Sequence, residues 1–287
     1  MTQPGSGGSG SSPRSSPGSA EERGPDGGPG ISRFDGRVED YAAHRPTYPA
    51  ELLTLLTGPA GLPAPARLVD VGAGTGRLAE RLLDGGHEVT LVEPHAGMRA
   101  AAERALGGRP GVRVVAGRAE ATGLPDGCAD GVLAAQAFHW FEPEATRHEF
   151  ARLLRPGGQV VLLWNERDGD ACPLLADYER LVRSHVSDLP RKERDETGPE
   201  RVRSFFGADP AAGPGAGGPH ELVLDNTHRL DWAGFSGRAL STSYVPRDGP
   251  EHGPLMDALR QAFERHADAD GTAELVYRTV VYFGRLG

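Results

Sequence analysis

Three glycines and two carboxylates stand at spacings that could do chemistry. The stretch VDVGAGTGRL, residues 69–78, runs from an apolar segment into Gly72, Gly74 and Gly76, with Asp70 two residues ahead of the first glycine. Such a loop lets a backbone pass close to a nucleotide. Glu93 ends the next apolar run, about 20 residues after the loop begins, where an acidic residue holds ribose hydroxyls. The dinucleotide fingerprint asks for G-x-G-x-x-G, with a pyrophosphate at a helix N-terminus. Gly72 and Gly74 fit it, but Arg77 occupies the third position and Gly76 comes one residue early. A carboxylate at Asp70 would repel a pyrophosphate and suits a cationic ligand, one with an ammonium and a sulfonium. The competing reading of the glycines is tight strand–helix packing alone.

The elements that would position these residues follow from the hydrophobic pattern. RLVDV, HEVTLVE, VRVVAG, ADGVLAAQ and QVVLLWN read as five short buried strands. Between them, GRLAERLLDGG, PHAGMRAAAERAL (with Pro94 in its first turn) and EPEATRHEFARLLRPGG read as helices, the last stopping at Pro156 and two glycines. Strands alternating with helices predict a parallel sheet covered on both faces. Right-handed crossovers put every strand-to-helix loop on one edge, where ligands bind near the switch point of the sheet. Further on, CPLLADYERLVRSHV and PLMDALRQAFERHA read as helices, and ELVLDNTHRLD and AELVYRTVVYFGRL as two long strands. The expected fold is therefore α/β, a Rossmann-like, mostly parallel seven-stranded sheet with an antiparallel strand at the C-terminus. Residues 31–287 form one domain, with an insertion at about 168–220.

Composition narrows the classes of partner. A chain of 287 residues is long enough for a large core. Its net charge of -9 leaves no basic surplus to neutralise phosphates, so nucleic acid is not an expected partner. Cys128 and Cys172 are the two cysteines; their separation has no metal-like spacing and fits a reducing compartment. No apolar run approaches a membrane span and no signal-peptide pattern follows Met1, so a cytoplasmic protein without a membrane partner is expected. Residues 1–30 are dominated by Gly, Ser and Pro and read as a disordered tail, and GADPAAGPGAGGPH, residues 207–220, as a surface loop. His185, His228, His252 and His266 lack ligand spacing and read as surface residues; no metal is expected.

LVDVGAGTGRLAERL with LVEP resembles the cofactor site of the class I S-adenosylmethionine-dependent methyltransferases. FDGRVEDYAAHRPTYP, GRAEATGLPDGCADGVLAAQAFHWF and LLRPGGQVVLLWNERD resemble, in order, the entry segment, the third-to-fourth strand region and the fifth strand of a type 11-like small-molecule subgroup. The likeness is close over residues 33–167 and extends to GRALSTSYVP and the terminal YRTVVYFGRL.

The resemblance implies S-adenosyl-L-methionine as cofactor and assigns residues to it. Gly72, Gly74 and Gly76 bring the loop backbone to the amino-acid part of the cofactor, and Asp70 orients that loop or offsets positive charge. Glu93 accepts from both ribose hydroxyls. Met98 packs on the adenine ring or serves ordinary helix–sheet packing, while Ala119 and Glu120 meet the adenine edge. Gln136 faces the methionine moiety. Tyr41 and Arg45 belong to a segment that folds over the cofactor; Arg45 holds a carboxylate of cofactor or substrate, or is a solvated charge on a surface helix. Ser241, Ser243 and Tyr244 line the substrate side. His139 is the candidate catalytic base, or one of an aromatic wall with Phe138, Trp140 and Phe141.

The expected activity is in-line methyl transfer to a small-molecule acceptor, a carboxylate or a natural-product scaffold. Such transfer needs proximity and a dry pocket rather than a catalytic triad. The alternatives are a nicotinamide-dependent oxidoreductase, opposed by Asp70 and the shifted glycine, and a cofactor-binding protein without catalysis.

Overall fold

Strand alternation divides the sheet's side chains between two cores. The computed structural model describes residues 36–186, 198–207 and 218–287, so the expected tail, and the low-complexity patch between 208 and 217, lie outside the described residues. Leu68, Leu133, Val161 and Leu163 face one core with the helices α2 (Glu51–Thr57), α3 (Arg77–Asp84) and α4 (Ala96–Leu106). Their neighbours Val69, Val132, Ala134, Val160 and Leu162 face the other, with α5 (Pro143–Leu153) and α7 (Pro199–Phe205). Each fully buried Leu or Val in these layers contributes about 1.5–3 kcal/mol against leaving it in water.

Among the described residues, seven strands form one sheet: β1 (Arg67–Val71), β2 (Glu88–Val92), β3 (Val112–Val115), β4 (Ala129–Ala135), β5 (Leu154–Arg167), β6 (His220–Asp231) and β7 (Thr272–Gly284). Their order is β3-β2-β1-β4-β5-β7-β6. The pairs from β3 to β5 are parallel, while β7 runs antiparallel to both β5 and β6. The expected fold class is therefore found. The order reverses between β1 and β4, which places the binding crevice at the ends of those two strands.

Two boundaries differ from the pattern reading. The helix expected to open with Pro94 begins at Ala96, because the His95 ring caps it by accepting the Met98 N–H at 3.1 Å. The helix expected to reach Pro156 ends at Leu153, and RPGG belongs to β5, where the pairing with β4 shifts register between Ala129 and Gly131. At its other end that helix follows the sequence signal: Glu142 caps it, accepting from the Glu144 and Ala145 N–H groups at 3.2 and 2.7 Å, with Pro143 in the first turn.

The remaining helices flank the far half of the sheet. A third core unites α6 (Pro173–His185), α8 (Trp232–Leu240) and α9 (His252–His266) with Ala273, Leu275 and Tyr277 of β7. The short α1 (Val38–His44) packs on α8 and is tied there by Arg37, whose guanidinium donates to the carbonyls of Leu240, Thr242 and Val245 at 2.6, 2.8 and 3.1 Å. Arg247 holds the same segment through the Gly36 carbonyl and the Asp40 carboxylate. No described helix is long and apolar enough to cross a membrane.

Candidate active site

The glycine loop leaves β1 in a conformation that side chains resist. Gly72 has φ +68°, and a Cβ there would lie 2.6 Å from Ala137 Cβ, so both the turn and the close approach of the β4 loop require glycine. Gly76 has φ +86°, and its Cβ would meet Leu106 Cδ1 at 2.6 Å and Leu91 Cδ2 at 3.3 Å. Gly76 thus serves the packing of α3 against α4 and β2 and is not among the residues lining the cleft, whereas Gly72 and Gly74 are.

These elements bound an open cleft of about 1040 Å³. Tyr41, Asp70, Glu93, Met98, Ala119, Glu120 and Gln136, predicted from the sequence, all line it with the two glycines. Glu93 is buried and fastens the loop: its Oε2 accepts from the Gly74 N–H and its Oε1 from the His95 N–H, both at 2.8 Å. Burial raises its pKa and these backbone bonds oppose the rise. Each carboxylate oxygen keeps a second lone pair for a ligand hydroxyl. Glu120 Oε1 accepts the Glu142 N–H at 3.0 Å, and Glu149 holds the same loop by accepting the Thr122 N–H at 2.8 Å.

Asp70 is 1 % exposed and neither carboxylate oxygen has a hydrogen-bond partner among the described residues. Burial, and then the neighbouring Glu93, push its pKa up to about 7. A buried carboxylate without a partner is costly. Its cost falls when a ligand brings positive charge and donors into the cleft. A sulfonium cofactor with an amino group fits a buried carboxylate without a partner; a pyrophosphate placed against it does not.

Gln136 follows β4 with φ +56°, a left-handed conformation uncommon outside glycine. Its N–H donates to the Leu163 carbonyl at 2.9 Å and its side-chain Nε2 to the Asn165 carbonyl at 3.1 Å. It lines both the first cleft and a second one of about 980 Å³, as do Tyr41, Tyr48 and Arg77. The second cleft continues over the ends of β5 and β7 to Asn165, Arg167, Arg238 and Tyr277.

Arg45 lies in this second cleft and not in the first. Its guanidinium lies 4.9 Å from the Tyr41 ring centroid and donates to the Ser241 carbonyl at 3.3 Å, a bond between α1's end and α8's end rather than a solvated charge. Ser241 is fully buried, and Ser241, Ser243 and Tyr244 are not among the residues lining either cleft.

The segment after β4 separates into roles. Phe138 is buried in an aromatic cluster, edge-on to Phe205 at 4.8 Å, while Trp140 and Phe141 line the first cleft. His139 sits in the single helical turn Phe138–Trp140 against the Trp140 ring at 4.8 Å and lines neither cleft.

The described residues hold no cluster of histidine, cysteine and carboxylate groups suited to a metal. His228, expected on the surface, is half-buried, and burial followed by Arg238, Arg77 and His44 lowers its pKa to about 4. His185, His252 and His266 are half-buried too, His266 at 3.0 Å from Asp177. Sequence reasoning missed Tyr48, His95, Asn165, Arg167, Arg238 and Tyr277. Asn165 had a signal, being the last residue of the fifth strand pattern; Arg238 lies in GRALSTSYVP, whose resemblance gave it no role.

Comparisons with known proteins bear on the family and the fold. Residues 69–162 match the model of a methyltransferase domain. An uncharacterized methyltransferase of Mycobacterium tuberculosis is 43 % identical over 136 residues, 47 % of this chain and 53 % of that protein. A ubiquinone/menaquinone biosynthesis C-methyltransferase of Methylobacterium nodulans is 39 % identical over 177 residues, 58 % of this chain and 69 % of the relative. The chain spans about half the length of the curated mycobacterial relatives it matches. Among solved structures, one described as a type II methyltransferase from Anaeromyxobacter dehalogenans superposes with TM-score 0.58 and 26 % identity, covering 85 % of this chain and 99 % of the other.

Proposed function

The chain belongs to the family of class I S-adenosylmethionine-dependent methyltransferases, and from that premise we propose that it transfers a methyl group from S-adenosylmethionine to a small-molecule acceptor. One observation carries the reading. A cleft walled by the orphaned Asp70 carboxylate adjoins a second cleft, and Gln136 lies on the wall common to both.

S-adenosylmethionine, when bound, supplies a methyl group already activated on a cationic sulfur. The chain's own residues then have to bind, align and exclude water. The Gly72 and Gly74 backbone admits the amino-acid part, Asp70 offsets positive charge, and Glu93 receives ribose hydroxyls. Met98, Ala119 and Glu120 hold the adenine, and Gln136 holds the methionine end. Tyr41, Trp140 and Phe141 shield the cleft from solvent. We assign His139 to that wall, through its packing on Trp140, and assign no general base.

Calorimetric titration with S-adenosylmethionine, S-adenosylhomocysteine and NADH tests this reading. Micromolar binding of the first two and none of NADH is expected. Binding of NADH alone would overturn it in favour of an oxidoreductase, and binding of none in folded protein would overturn it outright.

A further inference from the structure

The second cleft has an electrostatic peculiarity. Arg238 is 6 % exposed, and its bonds run only to neutral groups: Nε to the Tyr277 hydroxyl at 3.3 Å and Nη1 to Thr242 Oγ1 at 3.0 Å. Arg45 is bonded to a carbonyl, and its Nε is buried without a partner. Arg77 donates to the Ala42 carbonyl, and its Nε is likewise buried and unpartnered. None of the three has a carboxylate within salt-bridge distance among the described residues; Arg167 alone of the cleft's arginines is paired, with Glu179 at 3.0 Å.

These cations also oppose one another. Arg238 lowers the pKa of Arg45, second only to burial itself. Elsewhere on the molecule some arginines take carboxylate partners, as Arg152 does with Glu149 and Arg229 with Asp268, and others, such as Arg37 and Arg99, bond to carbonyls; what sets this cleft apart is that three guanidiniums without a carboxylate partner line one cavity. Buried charges are ordinarily paired, because an uncompensated one costs several kcal/mol. The cleft is lined by four arginines and two carboxylates; Glu179 is taken by Arg167, and among the described residues the exposed Glu166 pairs with none of the other three, so their positive charge exceeds what the lining itself offsets.

We propose that the ligand supplies the counter-charge: the acceptor is an organic anion whose oxyanion group, carboxylate or phosphate, is held by Arg45 and Arg238 in the second cleft. This rests on the methyltransferase reading and names the chemical class of its acceptor. The planar fork of a guanidinium matches a two-oxygen anion, and Tyr41 under Arg45 and Tyr277 beside Arg238 hold the two forks in place. Arg77, shared by both clefts, adds positive potential at their junction. Neutral analogues of the acceptor leave the guanidiniums unpaired and bind poorly.

The test uses the full chain saturated with S-adenosylhomocysteine, titrated calorimetrically with citrate and, separately, with inorganic phosphate in a chloride-free buffer. The expected result is millimolar or tighter binding of at least one, weakened about tenfold or more in both Arg238→Gln and Arg45→Gln. Citrate binding alone identifies a carboxylate acceptor, and phosphate binding alone a phosphate ester. Arg238→Lys keeps the charge without the fork and recovers part of the affinity if the site is electrostatic. S-adenosylhomocysteine affinity of Arg238→Gln, expected within about threefold of the parent, reports that the variant is folded; Arg45→Gln keeps the test open if it is not. Absence of binding by the parent, or binding unchanged in the variants, overturns the anion site while leaving the methyltransferase reading intact. Failure to bind S-adenosylhomocysteine at all strikes that reading first.

Discussion

The two clefts are opposites in charge and in origin. The first is lined by the carboxylates Asp70 and Glu93, and both Asp70 oxygens are acceptors without a partner among the described residues. The second is lined by four arginines and two glutamates, and its buried unpartnered side-chain atoms, on Arg45, Arg77 and Trp164, are donors. The first is built mainly from strand-to-helix loops of one half-sheet, with Tyr41 and Tyr48 above them; the second gathers residues of α1, β5, α8 and β7, from Tyr41 to Tyr277. A protein that must bring a cation and an anion together can use this division. Each ligand completes the cleft whose wall is of opposite sign, and the shared residues Tyr41, Arg77 and Gln136 mark where the two meet.

The comparison breaks most sharply at Glu93. Glu93→Ala removes the acceptor of the Gly74 and His95 N–H groups as well as a ribose contact. We expect S-adenosylmethionine affinity to fall roughly 100-fold, about 3 kcal/mol, by calorimetry. An unchanged Kd would mean that the first cleft does not hold the nucleoside.

Asp70 gives a smaller effect with a sharper signature. Asp70→Asn should weaken S-adenosylmethionine about tenfold and S-adenosylhomocysteine, which lacks the sulfonium charge, by less than about threefold. Because the carboxyl is pushed up to about 7, it is neutral below that pH and charged above it. Affinity for the cationic cofactor should therefore rise with pH up to about 7 and then level off, and the Asn variant should show no such rise. Stability runs the other way. Between about pH 4 and 7 the folded chain keeps a proton that the unfolded chain has released, so this group's contribution is full below about pH 4 and lost as pH rises through 7. Equal loss of both ligands in the Asn variant would assign Asp70 to holding the loop rather than to charge.

The smallest effect is expected at His139. As part of a wall behind Trp140, His139→Ala should raise the acceptor KM a few-fold and leave kcat nearly intact. A drop in kcat of roughly 100-fold, with KM unchanged, would restore it as the base.

How far the sequence reached follows the same division. The five strands, the glycine loop and Glu93 were legible because each depends on local signals: apolar runs of strand length, turns that only glycine takes, and an acid at a fixed offset. Cleft residues from Asp70 through Gln136 fall within one stretch of alternating strands and helices, so their convergence follows from the handedness of the connections. Arg238 and Tyr277 were illegible. They fall in GRALSTSYVP and YRTVVYFGRL, but the resemblance of those stretches assigned neither residue a role, and their meeting depends on how the last antiparallel strand pairs with β5.

The sequence by itself determined the fold class, the crevice and the sign of charge beside the glycine loop. It did so because a parallel sheet's order and hand fix where its loops gather. Tertiary structure alone decided that Gly76 packs on α4 and β2 outside the cleft lining, that Arg45 turns to the second cleft, and that His139 stacks outside both. Those outcomes depend on distances of a few ångströms between segments far apart in the chain, and no local pattern encodes them. The missing partners of Arg45 and Arg238 are of the same kind, since a charge is unpaired only with respect to everything folded around it.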